Sequence, residues 1–225
     1  MKIYKTKKYI LKFYPNAVPF LNGLTSNELT KPQNAFLNIH GRIVATFDQL
    51  VINEDEVWAL IEKPFVDAVL DHVDRYAKLS GVKVEKRKEI VIFDLDGDLP
   101  LIEGEKTILQ KKGRLVITGR HLQSNISEEE FTLFRLKNNI PMHGVDFQDE
   151  MLLNVSETDH VSFTKGCFLG QEPVSKVHNR SKPTWRLGVK YESECTDEEK
   201  QKMTSKVVDP ERKEVLGFVF EKNGP

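Results

Sequence analysis

Residues 162–174 read S-F-T-K-G-C-F-L-G-Q-E-P-V and form the most distinctive run in the chain. Gly166 and Gly170 bracket Cys167 beside Lys165, and the run then enters a predicted helix. A helix N-terminus and a lysine both supply positive potential, which favours the thiolate form of a cysteine. On the residues alone, a structural and a functional role for this cysteine are about equally supported.

The eight residues 165–172, K-G-C-F-L-G-Q-E, resemble the signature of the YgfZ family of folate-binding proteins. Its usual form is Lys-Gly-Cys, an aromatic residue, one variable residue and Gly-Gln-Glu. Three earlier segments, 23–29, 36–43 and 135–152, are similar to family segments in the same order. The resemblance therefore covers the chain from about Gly23 to Tyr191.

This resemblance implies the α+β fold of the glycine-cleavage T-protein, with mixed or antiparallel sheets and folate in a central cavity. We expect residues 1–181 to form the folate-binding domain and residues 182–225 to form a shortened C-terminal β-barrel-like segment. Three departures from the family pattern, Leu153, Val155 and Asn139, bear more on folate binding than on the fold.

The resemblance also implies tetrahydrofolate as the cofactor and Cys167 as the candidate functional thiol. A pterin needs hydrogen-bond acceptors, apolar walls and a cation near its acidic tail. Glu172 or Asp146 would accept from the pterin, and Arg42 or Lys165 would meet the tail carboxylates. The apolar walls would be Phe36, Phe163 and Phe168. The full set of predicted cofactor-binding residues is Asn27, Arg42, Asp146, Lys165, Gly166, Gly170, Gln171 and Glu172.

Short, mixed elements are predicted along the chain. Strands are expected on both sides of His40-Gly41, at residues 56–61, 82–85 and 90–93, and in a hairpin around Lys112-Gly113. Pro64 favours the start of a helix whose apolar face recurs through Ala77, and Ser127 is a good N-cap for a second helix. After Pro183, two or three strands remain, which must pack on the main domain or on a partner.

Composition excludes several classes of protein. The chain has 225 residues, 33 Lys and Arg against 34 Asp and Glu, and no long apolar run. No global positive field therefore draws it to nucleic acid, and no membrane partner is expected. The N-terminal apolar stretch is too short and too charged for a signal peptide, so we expect a cytoplasmic protein.

No metal site is predicted. The acidic run from Asp94 to Glu105 has Leu99 where a calcium loop requires glycine, so a solvated acidic turn is expected instead. The six histidines lack ligand spacing, and the two cysteines lack the spacing of a zinc or redox motif. Phosphate-binding, dinucleotide and serine-hydrolase motifs are absent from the sequence.

Three functions remain open. The family resemblance implies a folate-dependent accessory factor for assembly or repair of iron–sulfur enzymes, with iron–sulfur proteins or their assembly factors as partners. A folate-dependent aminomethyl or one-carbon transferase is the second, although Lys137 stands where the T-protein has an acid. The third is a non-catalytic module that contacts RNA or protein through Lys176, Arg180, Lys182 and Arg186.

Overall fold

The computed structural model describes residues 1–223, which contain three sheets and six α-helices. The strands are β1 Ile3–Lys5, β2 Lys8–Tyr14, β3 Gln33–Leu37, β4 Ile43–Val51, β5 Val57–Glu62, β6 Lys83–Lys86, β7 Ile90–Asp94, β8 Lys106–Leu109, β9 Arg114–Thr118, β10 Trp185–Tyr191, β11 Thr204–Asp209 and β12 Glu214–Lys222. The helices are α1 Ala17–Leu24, α2 Val66–Ser80, α3 Glu128–Lys137, α4 Leu152–Val155, α5 Gln171–Arg180 and α6 Asp197–Lys202.

The sheets are a five-stranded sheet in the order β3-β4-β5-β2-β6, a four-stranded sheet in the order β1-β7-β9-β8, and a three-stranded sheet in the order β10-β12-β11. The strand pairings within them are antiparallel. The α+β class predicted from the sequence is therefore confirmed, with antiparallel sheets.

The five-stranded sheet is buried on both faces, and successive side chains alternate between two cores. On one face, Leu11 and Phe13 pack with residues of α1 and α2. On the other, Ile10 and Leu60 pack with Val91 of the four-stranded sheet and with α3. The central sheet thus lies between a helical layer and a second sheet.

The three-stranded C-terminal sheet packs on the main unit through a third core. Leu187 and Phe218 share this core with Leu136 of α3 and Phe168 of the 162–174 run. The expected C-terminal strands are present, and β11 joins them as the third. Burial of their apolar face against the main unit explains how so small a sheet is stable.

Several helices begin or end at the residues that the local sequence favours. Ser127 accepts a hydrogen bond from the Glu130 amide and completes a capping box at the start of α3. Asn139 adopts φ 49° after that helix, in the left-handed conformation that asparagine tolerates at helix ends. Pro64 lies in a 3₁₀ turn, Lys63–Phe65, directly before α2 rather than in its first turn.

The acidic turn after β7 differs from the prediction, because Asp94 is fully buried. Its carboxylate accepts hydrogen bonds from the backbone amides of Gly97 and Leu99 and from Arg114. Of the other acids in the run, Asp96, Asp98 and Glu103 are exposed. This carboxylate therefore holds the turn in place.

In residues 1–223, no helix combines the length and apolar composition that crossing a bilayer requires.

Candidate functional site

A cavity of about 590 Å³ lies where the five-stranded sheet, the four-stranded sheet and α3 meet the start of the C-terminal sheet. Segments 139–143 and 153–160 complete its wall. Its lining includes three aromatic side chains, Phe47, Phe93 and Phe131. The volume lies within the range of about 300–1,000 Å³ that is typical of small-molecule sites.

One end of the cavity carries a buried ion triad. Lys8 Nζ lies 3.1 Å from Asp48 Oδ2 and 2.8 Å from Glu62 Oε1, and the three side chains are 16%, 7% and 9% exposed. Strand register explains the meeting, since Lys8 pairs with Glu62, and Asp48 pairs with Leu60 on the same face. Gln110 Nε2 donates to Asp48 Oδ1 at 2.9 Å. With one cation and two carboxylates, this end is acidic.

The charge of Lys8 is secured by its two partners. Burial alone lowers the pKa of this ammonium, but the carboxylates of Glu62 and Asp48 outweigh burial and hold the pKa above its ordinary value. Lys8 therefore stays protonated at neutral pH.

Two neutral histidines line the same cavity. The His143 ring lies between Phe65 and Phe147, with centroid distances of 3.6 and 5.0 Å and interplanar angles of 10° and 11°. Burial, then the charge of Lys8, lowers the pKa of His143 to about 4. Burial likewise lowers the pKa of His160 to about 4. Both imidazoles are therefore uncharged at neutral pH and can each donate and accept one hydrogen bond.

The exposed part of the cavity wall is basic. Lys182 and Arg186 line it with exposed side chains, and Lys111 Nζ lies 2.7 Å from Asp159 Oδ2. With Glu157, this rim holds three cations and two acids. The cavity wall therefore combines the buried triad and the buried cation Arg135 with an exposed set of charges that is weakly basic.

The 162–174 run lies outside this cavity and packs along residues 25–28. Lys165 Nζ donates to the carbonyl oxygens of Thr25 and Asn27 at 2.6 and 2.9 Å. Glu28 accepts from the hydroxyls of Ser162 and Thr164 at 2.8 and 3.1 Å. The two segments are thus tied together by side chains of the run itself.

Burial lowers the pKa of Lys165 to about 8, and the charge of Glu28 opposes this shift. Gly166 and Cys167, which follow, are exposed, and a Cβ added at Gly166 would meet nothing within 4 Å. The thiol of Cys167 is therefore open to reagents and to other proteins, while the lysine beside it anchors the loop.

Gly170 is the residue of this run whose backbone most needs glycine. It has φ +82°, and a Cβ there would lie 2.4 Å from the carbonyl oxygen of Asn38. The close approach sets the start of α5, so that Gln171 opens the helix and Glu172 is exposed in its first turn. The predicted helix start after the signature is confirmed.

The other predicted site residues are dispersed. Asn27 is buried, and its side-chain amide donates to the carbonyl oxygens of Gln33 and Asp159, both at 2.9 Å. Arg42 is exposed and binds the carbonyl oxygen of Asp149. Asp146 is buried and receives hydrogen bonds from Arg135 Nη1 at 2.7 Å, the Met142 amide at 2.8 Å, and the hydroxyls of Thr204 and Ser205.

Of these residues, the structure brings Asn27 and Lys165 into contact, while Arg42 and Asp146 lie elsewhere. The expected aromatic walls are also placed outside the cavity. Phe36 stacks on Phe47 in the core, Phe163 stacks on His178, and Phe168 belongs to the third core.

Sequence reasoning missed the residues that give the cavity its polar character, namely Lys8, Asp48, Glu62 and His143. A weak signal existed for Asp48 and Glu62, because each is an acid within or at the end of an apolar strand. A charge at such a position is rarely buried unless it is paired. Lys8 gave no such signal, because it lies in a basic N-terminal stretch.

Among residues 1–223, no three His, Cys, Asp or Glu side chains are grouped so as to hold a metal ion.

Comparison with known proteins bears on this architecture. No protein-family model matches the chain. An uncharacterized protein of Haemophilus influenzae (strain ATCC 51907 / DSM 11121 / KW20 / Rd) is 22% identical over 147 residues, which is 62% of this chain and 52% of that protein. The chain therefore spans about half the length of this curated relative.

A solved structure covers nearly the whole chain. The crystal structure of glycine cleavage system aminomethyltransferase T from Bartonella henselae matches with a TM-score of 0.67, over 96% of this chain and 77% of that one, at 14% identity. The chain has the fold of this aminomethyltransferase. The T-protein-like fold implied by the resemblance is thus confirmed, and at this identity the likeness concerns the fold alone.

Proposed function

We propose that this protein binds a reduced folate, tetrahydrofolate, in the central cavity and serves as an accessory factor for iron–sulfur enzymes. The observation that carries the folate part is the pair of buried carboxylates, Asp48 and Glu62, in a cavity wall whose exposed side chains include the cations Lys182 and Arg186. Reduced folate has the matching polarity, with a flat pterin rich in N–H donors at one end and a glutamate tail at the other.

Each part of such a ligand finds matching residues in the wall. Asp48 and Glu62 can accept hydrogen bonds from the pterin, and charge-assisted bonds of this kind are among the stronger ones in proteins. Phe47, Phe93 and Phe131 offer apolar surface to the rings. The tail carboxylates would meet the exposed cations of the rim.

The iron–sulfur part of the proposal rests on the resemblance of residues 165–172 to the YgfZ signature. Cys167 is exposed on a loop that Lys165 anchors, so a partner protein can reach the thiol. One thiol cannot hold an iron–sulfur cluster alone. In this proposal, Cys167 therefore acts together with a thiol of the partner or with an external one.

One contact favours the accessory role over a transferase. Lys137, at the position where the T-protein has an acid, lies 3.1 Å from Asp209 Oδ1 and 2.9 Å from Glu211 Oε2. Both partners belong to the C-terminal part of the chain. The position is thus used to join α3 to the C-terminal sheet. A one-carbon transfer assay separates the two functions, since an accessory factor binds tetrahydrofolate without transferring an aminomethyl group to it.

Calorimetric titration with tetrahydrofolate tests the proposal. We expect one-to-one binding by the parent protein and by Cys167→Ala, and binding about 10- to 100-fold weaker in Asp48→Asn, because a hydrogen bond to a charged group contributes about 1.5–3 kcal/mol. Asp74→Asn, an exposed change on α2, is the matched control and should bind as the parent does.

The variant Glu172→Ala distinguishes ligand binding in the cavity from ligand binding at the signature loop, residues 165–172. Loss of binding in Glu172→Ala with normal binding in Asp48→Asn would place the ligand at the loop and contradict the cavity assignment. A folded parent that does not bind tetrahydrofolate would refute folate binding and leave a non-catalytic binding module as the better interpretation.

A further inference from the structure

His143 combines three properties that rarely occur together. Its side chain is 4% exposed, it lines the central cavity, and neither ring nitrogen has a hydrogen-bond partner among residues 1–223. Leaving a buried donor or acceptor unpaired costs about 1–3 kcal/mol. Because the residue lines the cavity, a ligand bound there is the natural candidate for the missing partner.

The ring is held rigidly where it is. Phe65 and Phe147 stack on its two faces, and the Gly144 amide donates to the Phe147 carbonyl at 2.9 Å. Gly144 has φ +81°, and a Cβ there would lie 2.7 Å from the Phe65 ring. The turn that carries His143 therefore requires glycine, and the two nitrogens are fixed in place before any ligand arrives.

Stacking alone does not explain a histidine at this position. A phenylalanine would stack equally well between Phe65 and Phe147 and would leave no polar atom without a partner. What the imidazole adds is one N–H donor and one nitrogen acceptor, because it is uncharged at neutral pH. These are the groups that recognise a heterocycle whose edge carries both acceptors and donors.

We propose that His143 contacts the ligand of the cavity directly, with its free ring nitrogens hydrogen-bonded to the heterocycle of the bound folate. The inference rests on the proposed function, since it assigns a specificity-determining residue to the same cavity. His143 and the acidic triad would then recognise different edges of the same ring system.

Three variants isolate this role. His143→Phe keeps the stack and removes both nitrogens, while His143→Gln restores one donor and one acceptor. His178→Phe is the matched control, because His178 is exposed and stacks on Phe163 at 3.7 Å outside the cavity. Tetrahydrofolate affinity is measured by calorimetry, and thermal stability of the ligand-free proteins is measured in parallel.

We expect His143→Phe to weaken tetrahydrofolate binding about tenfold, His143→Gln to recover part of that loss, and His178→Phe to bind as the parent does. The ligand-free His143→Phe protein should melt at or above the parent temperature, because an unpaired buried polar group has been removed. Lower affinity together with unchanged or higher stability is a result that a purely structural role for His143 would not give.

The outcomes separate the two proposals. Parent-like affinity in His143→Phe would overturn the role of His143 and leave folate binding in place. A His143→Phe protein that melts well below the parent would show that the nitrogens already have a structural partner, which also overturns the inference. Absence of tetrahydrofolate binding by the folded parent would overturn the proposed function and this inference with it.

Discussion

Replacing Lys8 with methionine removes the only cation of the acidic triad and keeps most of the apolar stem of the side chain. The two carboxylates of Asp48 and Glu62 then remain at 7% and 9% exposure without the ammonium that lies 3.1 and 2.8 Å from them. Gln110 still donates to Asp48, but a neutral amide does not offset the charge. The change therefore isolates the electrostatic part of the triad.

Breaking a buried ion pair by removing one partner costs about 3–5 kcal/mol, because an uncompensated charge stays out of water. We expect the free energy of unfolding of Lys8→Met to fall by this amount. Since whole domains are stable by about 5–15 kcal/mol, the loss is a large fraction of the total. Urea unfolding followed by circular dichroism measures it directly.

Lys78→Met is the matched control. Lys78 lies 2.7 Å from Asp74 in an i,i+4 pair on α2, but the two side chains are 74% and 56% exposed. Exposed helix pairs contribute about 0.3–0.5 kcal/mol, so this variant should unfold close to the parent. The N–O distance is like those of the buried triad, whereas the two side chains are far more exposed.

Neutralising the whole triad gives the second control. A triple variant, Lys8→Met with Asp48→Asn and Glu62→Gln, leaves no charge at the three triad positions and should recover much of the lost stability. A loss below about 1 kcal/mol in Lys8→Met, equal to that in Lys78→Met, would refute the buried triad. Failure of the triple variant to recover would show that lost packing, and not charge, causes the effect.

Two further predictions follow from the loop glycines and from the buried imidazole. Gly170→Ala should lower the free energy of unfolding by more than about 1 kcal/mol, because alanine at φ +82° is strained and would also approach the Asn38 carbonyl. Gly166→Ala should change the free energy of unfolding by less than about 0.5 kcal/mol. Equal effects of the two substitutions in urea unfolding would contradict this geometry. Burial lowers the pKa of His143 to about 4, so its protonation is less favourable in the folded than in the unfolded protein. The free energy of unfolding should therefore fall by up to about 3 kcal/mol as the pH drops from 6.5 toward 4. Unfolding curves across this range should show a shallower pH dependence in His143→Phe, and parallel curves would refute it.

Much of the fold could be predicted because its signals are local. The apolar face from Val66 to Ala77 predicted α2, and Ser127 predicted the capped start of α3. The turn at His40-Gly41 and the hairpin at Gly113 also appear where glycine indicated them. Each of these features depends on residues within a few positions of one another, which a single sequence displays.

The cavity could not be predicted in this way, because its polar residues come from distant segments. Lys8, Asp48 and Glu62 meet through the register of three strands, and His143 arrives from the loop after α3. No spacing rule connects such positions. The burial of Asp94 was missed for a related reason, since its partner Arg114 lies on the neighbouring strand.

The placement of buried charged groups and unpaired polar atoms, which cost stability, supports a ligand site at the cavity more strongly than the chemistry of any one residue does. A protein gains stability by placing apolar side chains in its interior, and a buried ion pair contributes little to stability compared with good apolar packing. Here apolar side chains build the two cores on either side of the five-stranded sheet, whereas many polar side chains line the cavity. There the wall holds the Lys8 triad and His143 with two unpaired nitrogens. Buried polar groups occur elsewhere too, Asp94 with Arg114 and the unpaired His72 Nε2 among them, but the cavity brings several of them together. Local departures of this kind within a consistent fold are typical of functional sites.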